Sequence, residues 1–183
     1  MDISELLLAA NAGDRVAADR LFATLYDELK KLAHNSLRRS GSPPELDTTM
    51  LVHESFIRLV GGTACTPVQR RAFYAYVGKV MRSVVLDAVR ERQARKRGGD
   101  QIFVTLNTGV EQPVLGGPQL IALDDALTVL GNMAPELKEL VEMRYFAGLT
   151  VPEISELTGK SPRSVEREWE KARLLLRQLM EEA

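Results

Sequence analysis

Arg163, Ser164, Glu166, Arg167 and Lys171 fall within one short stretch, RSVEREWEK, and each of these residue types can address a nucleic acid. Arginine forks onto the acceptors of guanine, serine reaches a base edge or a phosphate, glutamate accepts from cytosine, and lysine meets a phosphate. Between them Val165, Trp169 and Ala172 recur at i, i+4 and i+7, the spacing of a helix with one apolar stripe. Arg163, Arg167 and Glu170 then point away from that stripe, as a helix lying in a major groove requires. The preceding residues can hold this helix in place. Thr150 and Glu153 have the spacing of a capping box, with Ile154 and Leu157 facing inward. Thr158-Gly159-Lys160 supplies a glycine turn, and Ser161-Pro162 a cap and a first-turn proline. Residues 149–173 therefore read as a helix-turn-helix, although a helical hairpin with a solvated charged face uses the same parts.

A second stretch could meet phosphates. From Pro67 to Arg97, Arg70, Arg71, Lys79, Arg82, Arg90, Arg92, Arg95, Lys96 and Arg97 face only Asp87 and Glu91. The chain's net charge of -1 thus conceals a strong local field, which is what a partner meets. With Phe73 at the centre of the buried face, Arg71, Lys79, Arg82, Arg90 and Arg97 are expected on or near the opposite side. Tyr74 flanks this strip and Tyr76 sits at the edge of the buried face; each either stacks on an unpaired base or packs into the core.

The elements that would carry these groups are helical almost throughout. The 183 residues are 45% apolar, 27% charged and 5% aromatic, a globular composition. Helices are expected from Ile3 to about Ala12, from a cap at Asp14 through a buried stripe of Leu21, Phe22, Leu25, Tyr26, Leu29, Leu32 and Ala33 to about Ser40, and from Asp47 or Thr48 to Gly61. A fourth opens at Thr66-Pro67 and runs into ARKRGG. Glycines and prolines then punctuate residues 98–119, which read as a flexible linker. The resulting architecture is all-α: two small helical domains, 1–97 and 120–183, joined by that linker, the second being the helix-turn-helix domain. No stretch approaches the roughly 20 apolar residues that a bilayer demands, and the N-terminus lacks a signal peptide, so a cytoplasmic protein without a membrane partner is expected. The lone Cys65 excludes an internal disulfide and a cysteine-built zinc site. His34 and His53 have no metal-ligand spacing, and there is no glycine-rich phosphate loop, so no catalytic residue, metal or cofactor is expected.

Taken in order, these segments resemble bacterial RNA polymerase sigma factors of the extracytoplasmic-function type, group IV. LVHESFIRLV at 51–60 is similar to the family's polymerase-clamp-binding helix, FYAYVGKVMRSVVLDAVRERQARKR at 73–97 to its promoter-melting helix, and residues 149–179 to its minus-thirty-five reader. The resemblance implies a specificity subunit with no chemistry of its own, whose partners are the clamp and flap of core RNA polymerase and promoter DNA. It implies polymerase contacts from Asp47, Leu51, His53, Glu54 and Arg58, and capture of the melted minus-ten strand by Arg71, Tyr74, Lys79, Arg82 and Arg90 with the loop at 61–69. Minus-thirty-five contacts fall to Arg163, Ser164, Glu166, Arg167 and Lys171.

Departures from the family pattern carry information of their own. Where the family usually has an acidic cluster, this chain has Asp47-Thr48-Thr49-Met50. A phosphate on Thr48 or Thr49 would add about -1.5 to -2 charges at a helix N-terminus, the end that favours negative charge. The resemblance therefore extends to factors with threonines in place of the acidic clamp-binding cluster, and implies a serine/threonine kinase as partner; capping alone is the other role open to these threonines. Whether an anti-sigma protein also acts is left open. Ser83 stands where the melting helix often has asparagine, and Glu166, Glu168 and Glu170 dilute the charge of the reader; Glu166 is expected to pair with Arg163 or Lys171 more than to accept from cytosine. Promoter elements two helical turns apart lie about 70 Å from each other, whereas a flexible tether of about twenty residues averages about 25 Å, so the free protein is expected to bind promoters weakly. The competing reading is a stand-alone helix-turn-helix regulator, which binds duplex DNA without polymerase.

Overall fold

The computed structural model describes residues 3–40, 46–61, 70–95 and 117–181. Among the described residues the chain is all-α, with no strand. The elements are α1 (Ile3–Asn11), α2 (Arg15–Ser40), α3 (Thr48–Gly61), α4 (Arg70–Arg95), α5 (Gly117–Met133), α6 (Pro135–Val141), a π-helical turn (Glu142–Phe146), α7 (Val151–Thr158) and α8 (Pro162–Glu181). No helix among the described residues is long and apolar enough to cross a membrane.

Local chemistry accounts for most helix starts. The Asp14 carboxylate accepts from the amides of Val16 and Ala17 at 2.9 and 3.1 Å, satisfying donors that the first turn of α2 leaves over. Asp47 does the same for α3, accepting from the Met50 amide at 2.8 Å. Along α2, Leu21, Leu25, Leu29, Leu32 and Ala33 are buried as their spacing predicts, against Leu6 and Leu7 of α1 and Leu51, Val52 and Leu59 of α3 in one core, whereas Phe22 and Tyr26 of the same expected stripe are half-buried at its edge, their rings 5.3 Å apart.

α4 differs from its neighbours. Val84, Val85 and Leu86 are consecutive and all buried, so this helix is covered on more than one face. Its second cover is the C-terminal unit. The π-helical turn packs along α4, and α5 lies against it as well. Leu123, Leu127 and Leu130 of α5, Leu140 of α6, Phe146 of the π turn, Ile154 of α7 and Trp169 of α8 continue the same buried cluster that α1–α4 form. The unit also leans on α2, where the Asn35 side chain donates to the Gly148 carbonyl at 3.4 Å and Lys31 pairs with Glu153 at 3.2 Å. Gly148 has φ +74, and a Cβ there would sit 2.4 Å from the Asn35 Cβ, so both conformation and space call for glycine. α5 begins at Gly117, ahead of the expected linker boundary at 119, with Pro118 in the first turn where its missing donor costs nothing. Residues 98–116 of the expected linker, Cys65, and the loop at 62–69 lie outside the described residues.

Candidate nucleic-acid interface

The helix-turn-helix is built as its sequence predicts. The Thr150 hydroxyl accepts from the Glu153 amide at 3.4 Å while the Glu153 carboxylate accepts from the Thr150 amide at 2.7 Å, so α7 opens on a full capping box. Gly159 closes it at φ +69, and the Ser164 amide donates to the Ser161 hydroxyl at 3.2 Å as α8 begins. Val165, Trp169 and Ala172 are buried; Arg163, Glu166, Arg167 and Lys171 are exposed, and Ser164 is half-buried. The expected pairing of Glu166 with Arg163 or Lys171 is not made; among the described residues the pairs on α8 go to Glu168, Glu170 and Glu181 instead. Lys160 spans the turn, meeting both oxygens of Glu168 at 2.8 and 2.9 Å. The face that the reader would need is open.

Glu153 also gives this hairpin a pH dependence. Burial pushes its carboxyl up, but hydrogen bonds from the Thr150 amide and hydroxyl and from Lys31 carry the net shift below the ordinary value. A depressed carboxylate contributes stability that is present above the unfolded pKa, about 4.3, and is lost as pH falls through the folded one. Thr150→Ala is accordingly expected to cost about 1 kcal/mol at neutral pH, read from the urea midpoint. The deficit should shrink in acid, where the wild-type cap also fails. A deficit independent of pH down to 3 would dissociate it from Glu153.

On α3 the expected docking residues divide. Asp47, His53 and Glu54 are exposed, with the His53 ring 5.3 Å from Phe22. Arg58 is half-buried and turned along the protein surface, paired with Asp87 at 2.9 Å and donating to the Ser83 hydroxyl. Leu51 is corrected outright. It is 0% exposed, part of the core, because the inward stripe runs through positions 51, 52, 55 and 59. The apolar side chains that α3 shows to the outside are Met50, 50% exposed, and Ile57, 62% exposed. Their i, i+7 spacing beside His53 and Glu54 was the available signal.

On α4 the strip expected to be free is largely engaged. Lys79 is exposed. Arg82, by contrast, is 8% exposed, held between Asp124 of α5 and Glu142 of the π turn. Arg71 forks onto Glu139 of α6 through Nε and Nη2, both at 2.8 Å, and Arg90 Nη2 lies 3.3 Å from Asp124. Tyr74 is 4% exposed and its hydroxyl donates to Glu28, so it packs in the core rather than waiting for a base. The sequence placed one cover on α4, and the structure has two. Glu142 responds to its position: burial pushes its carboxyl up, while Arg82, Lys138 and Lys79 oppose that shift without cancelling it.

An all-α chain that ends in a capped turn followed by an exposed, mixed-charge helix has the architecture of the helix-turn-helix class. Residues 1–182 match the family model described as ECF sigma factor. The chain belongs to the ECF sigma factor family, whose members serve RNA polymerase in transcription initiation. Membership disfavours a stand-alone regulator. Among solved structures, CnrH in complex with the cytosolic domain of CnrY is 20% identical, with 98% of each chain covered and a TM-score of 0.39. Among curated protein sequences none matches.

Proposed function

We propose that this sigma factor docks on core polymerase through the outer face of α3, that phosphorylation at the head of α3 switches the docking on, and that it has no catalytic step of its own. In this reading α8 enters the minus-thirty-five major groove with Arg163, Ser164 and Arg167, and α4 takes the melted minus-ten strand.

The observation that carries the switch is the first turn of α3. Asp47 is its only acid and is used as the cap, Thr48 is half-buried, and Thr49 is exposed one residue before exposed Met50. A phosphate on Thr49 would stand at the positive end of the helix dipole beside the face formed by Met50, Glu54 and Ile57. There it would restore the anionic surface that a basic partner needs. One charge-assisted hydrogen bond to that partner is worth about 1.5–3 kcal/mol, or roughly tenfold to a hundredfold in affinity.

The test is promoter-dependent initiation by purified core polymerase with this protein, before and after treatment with a serine/threonine kinase that modifies it. Stimulation should rise about tenfold or more with phosphorylation, and Thr48→Ala/Thr49→Ala should abolish the rise. No stimulation in either state would sink the docking reading. Equal stimulation by the alanine variant and the wild type in cells would remove the switch and leave the docking.

A further inference from the structure

We infer that the C-terminal unit is an internal competitor for the nucleic-acid face of α4: Asp124, Glu139 and Glu142 occupy the guanidinium groups that a single strand's phosphates would take, so the free chain is closed and must open to bind. The inference rests on the reading of α4 as a DNA-facing helix.

The carboxylates come from three successive elements, α5, α6 and the π turn, and converge on three arginines of one helix. Arg71 meets Glu139 in the two-pronged geometry with which arginine also grips a phosphate. Arg82 carries Asp124 on one side and Glu142 on the other, its Nη2 2.8 Å from Glu142 Oε1 and its Nε 3.2 Å from Oε2. Lys79, exposed on the same helix, marks how far the cover reaches.

The backbone is shaped for this contact. Arg71, Gly78 and Arg82 lie on one side of α4, at i, i+7 and i+11. A Cβ on Gly78 would stand 2.1 Å from the Glu142 carbonyl oxygen and 2.6 Å from its carbon. Glycine between the two arginines lets the π turn rest directly on the helix. That turn, in which the Ala147 amide reaches back to the Glu142 carbonyl at 2.9 Å, pushes the backbone outward where Gly78 receives it.

Such a contact suits a latch rather than a rivet. A buried ion pair contributes little net free energy over its separated, hydrated partners, because desolvation offsets the attraction. The half-exposed pairs of Arg71 and Arg90 are weaker still and are screened by salt. Apolar packing of α4 against the π turn and α5 holds the two together, while the carboxylates select the register of closure and are the part for which a polyanion can compete at the same guanidiniums. The reader face of α8 stays exposed in the closed form, so closure masks the single-strand surface and leaves the duplex surface free.

The test uses the full chain without polymerase. Gly78→Leu wedges the contact, and Asp124→Asn/Glu139→Gln removes two of its charges; Asp19→Asn/Asp125→Asn makes the same charge change at exposed residues outside it. Each is measured for radius of gyration by small-angle scattering and for affinity to a fluorescent single-stranded oligonucleotide and to a duplex. The wedge and latch variants should expand and bind single strands about tenfold or more tightly, as regained phosphate contacts require, with duplex affinity unchanged. The control pair should do neither. If Gly78→Leu loses its helical circular dichroism, the latch variant decides alone. Folded latch variants that stay compact would overturn the closed state, and expanded variants with no gain for single strands would overturn the competition. Neither readout involves polymerase, so failure of the docking reading shows separately, as absent stimulation of initiation.

Discussion

Replacing Trp169 by alanine is expected to cost the chain about 3–5 kcal/mol, the range for removing a large aromatic from a packed interior. The side chain is buried on the α8 stripe with Val165, Ala172 and Leu176, and its ring does a second job. The Arg144 guanidinium of the π turn lies 4.9 Å from the ring centroid, over the face that attracts a cation. Alanine removes the packing and leaves that guanidinium above a void. Against a typical total stability of about 5–15 kcal/mol, the loss is large enough to melt the reader in part of the population at room temperature. The apparent melting temperature should fall by roughly 6–20 °C, whereas Trp169→Phe, which keeps a ring under Arg144, should lose well under half as much. A fall of less than about 2 °C for the alanine variant would mean that the ring does not carry the packing assigned to it.

How much of this was legible in the sequence depended on how far away the deciding partner lay. The α7–α8 hairpin was readable because its parts are local: Thr150 with Glu153, Gly159 at the corner, Ser161 with Ser164. The apolar stripe of α2 was readable for the same reason, since its members lie within one helix. Arg82 was not. Its partners Asp124 and Glu142 are 42 and 60 residues away, and nothing in the α4 pattern announces a second cover except the run Val84-Val85-Leu86, which is apolar on more faces than one core needs. Gly78 was equally mute, because a helical glycine takes its meaning from what rests on it. The π turn escaped because one extra residue per turn leaves the apolar pattern of Leu137, Leu140, Val141 and Tyr145 nearly intact. Leu51 shows the limit of carrying a contact over by resemblance. The apolar spacing of α3 already put it inside, and a helix turns about 100° per residue, so the neighbouring Met50 is the one left exposed.

The two kinds of arginine in this chain call for opposite expectations. Those of α4 are held by carboxylates, so removing them disturbs the folded state itself. Arg163 and Arg167 of α8 are exposed, and neither makes an ion pair with a described residue, unlike Arg173 and Arg177 further along. Arg163→Ala/Arg167→Ala should leave the melting temperature within about 2 °C, because exposed substitutions away from caps and cores usually stay within about 0.5 kcal/mol. Its effect should appear at the promoter. A well-placed bidentate arginine is worth about 1–3 kcal/mol of base discrimination, so losing two should lower minus-thirty-five-dependent initiation by roughly 30-fold or more. A template already melted at minus ten and lacking a minus-thirty-five element should be used almost as well as before. Arg167→Lys separates the two ways in which the side chain can act. Lysine keeps the charge and loses the fork, so it fails like alanine if Arg167 reads a base and recovers most of the activity if it meets a phosphate. Full recovery by lysine at both positions would move these residues from reading the sequence to holding the backbone, and would shift specificity to Ser164 and Glu166 on the flanks of the same face.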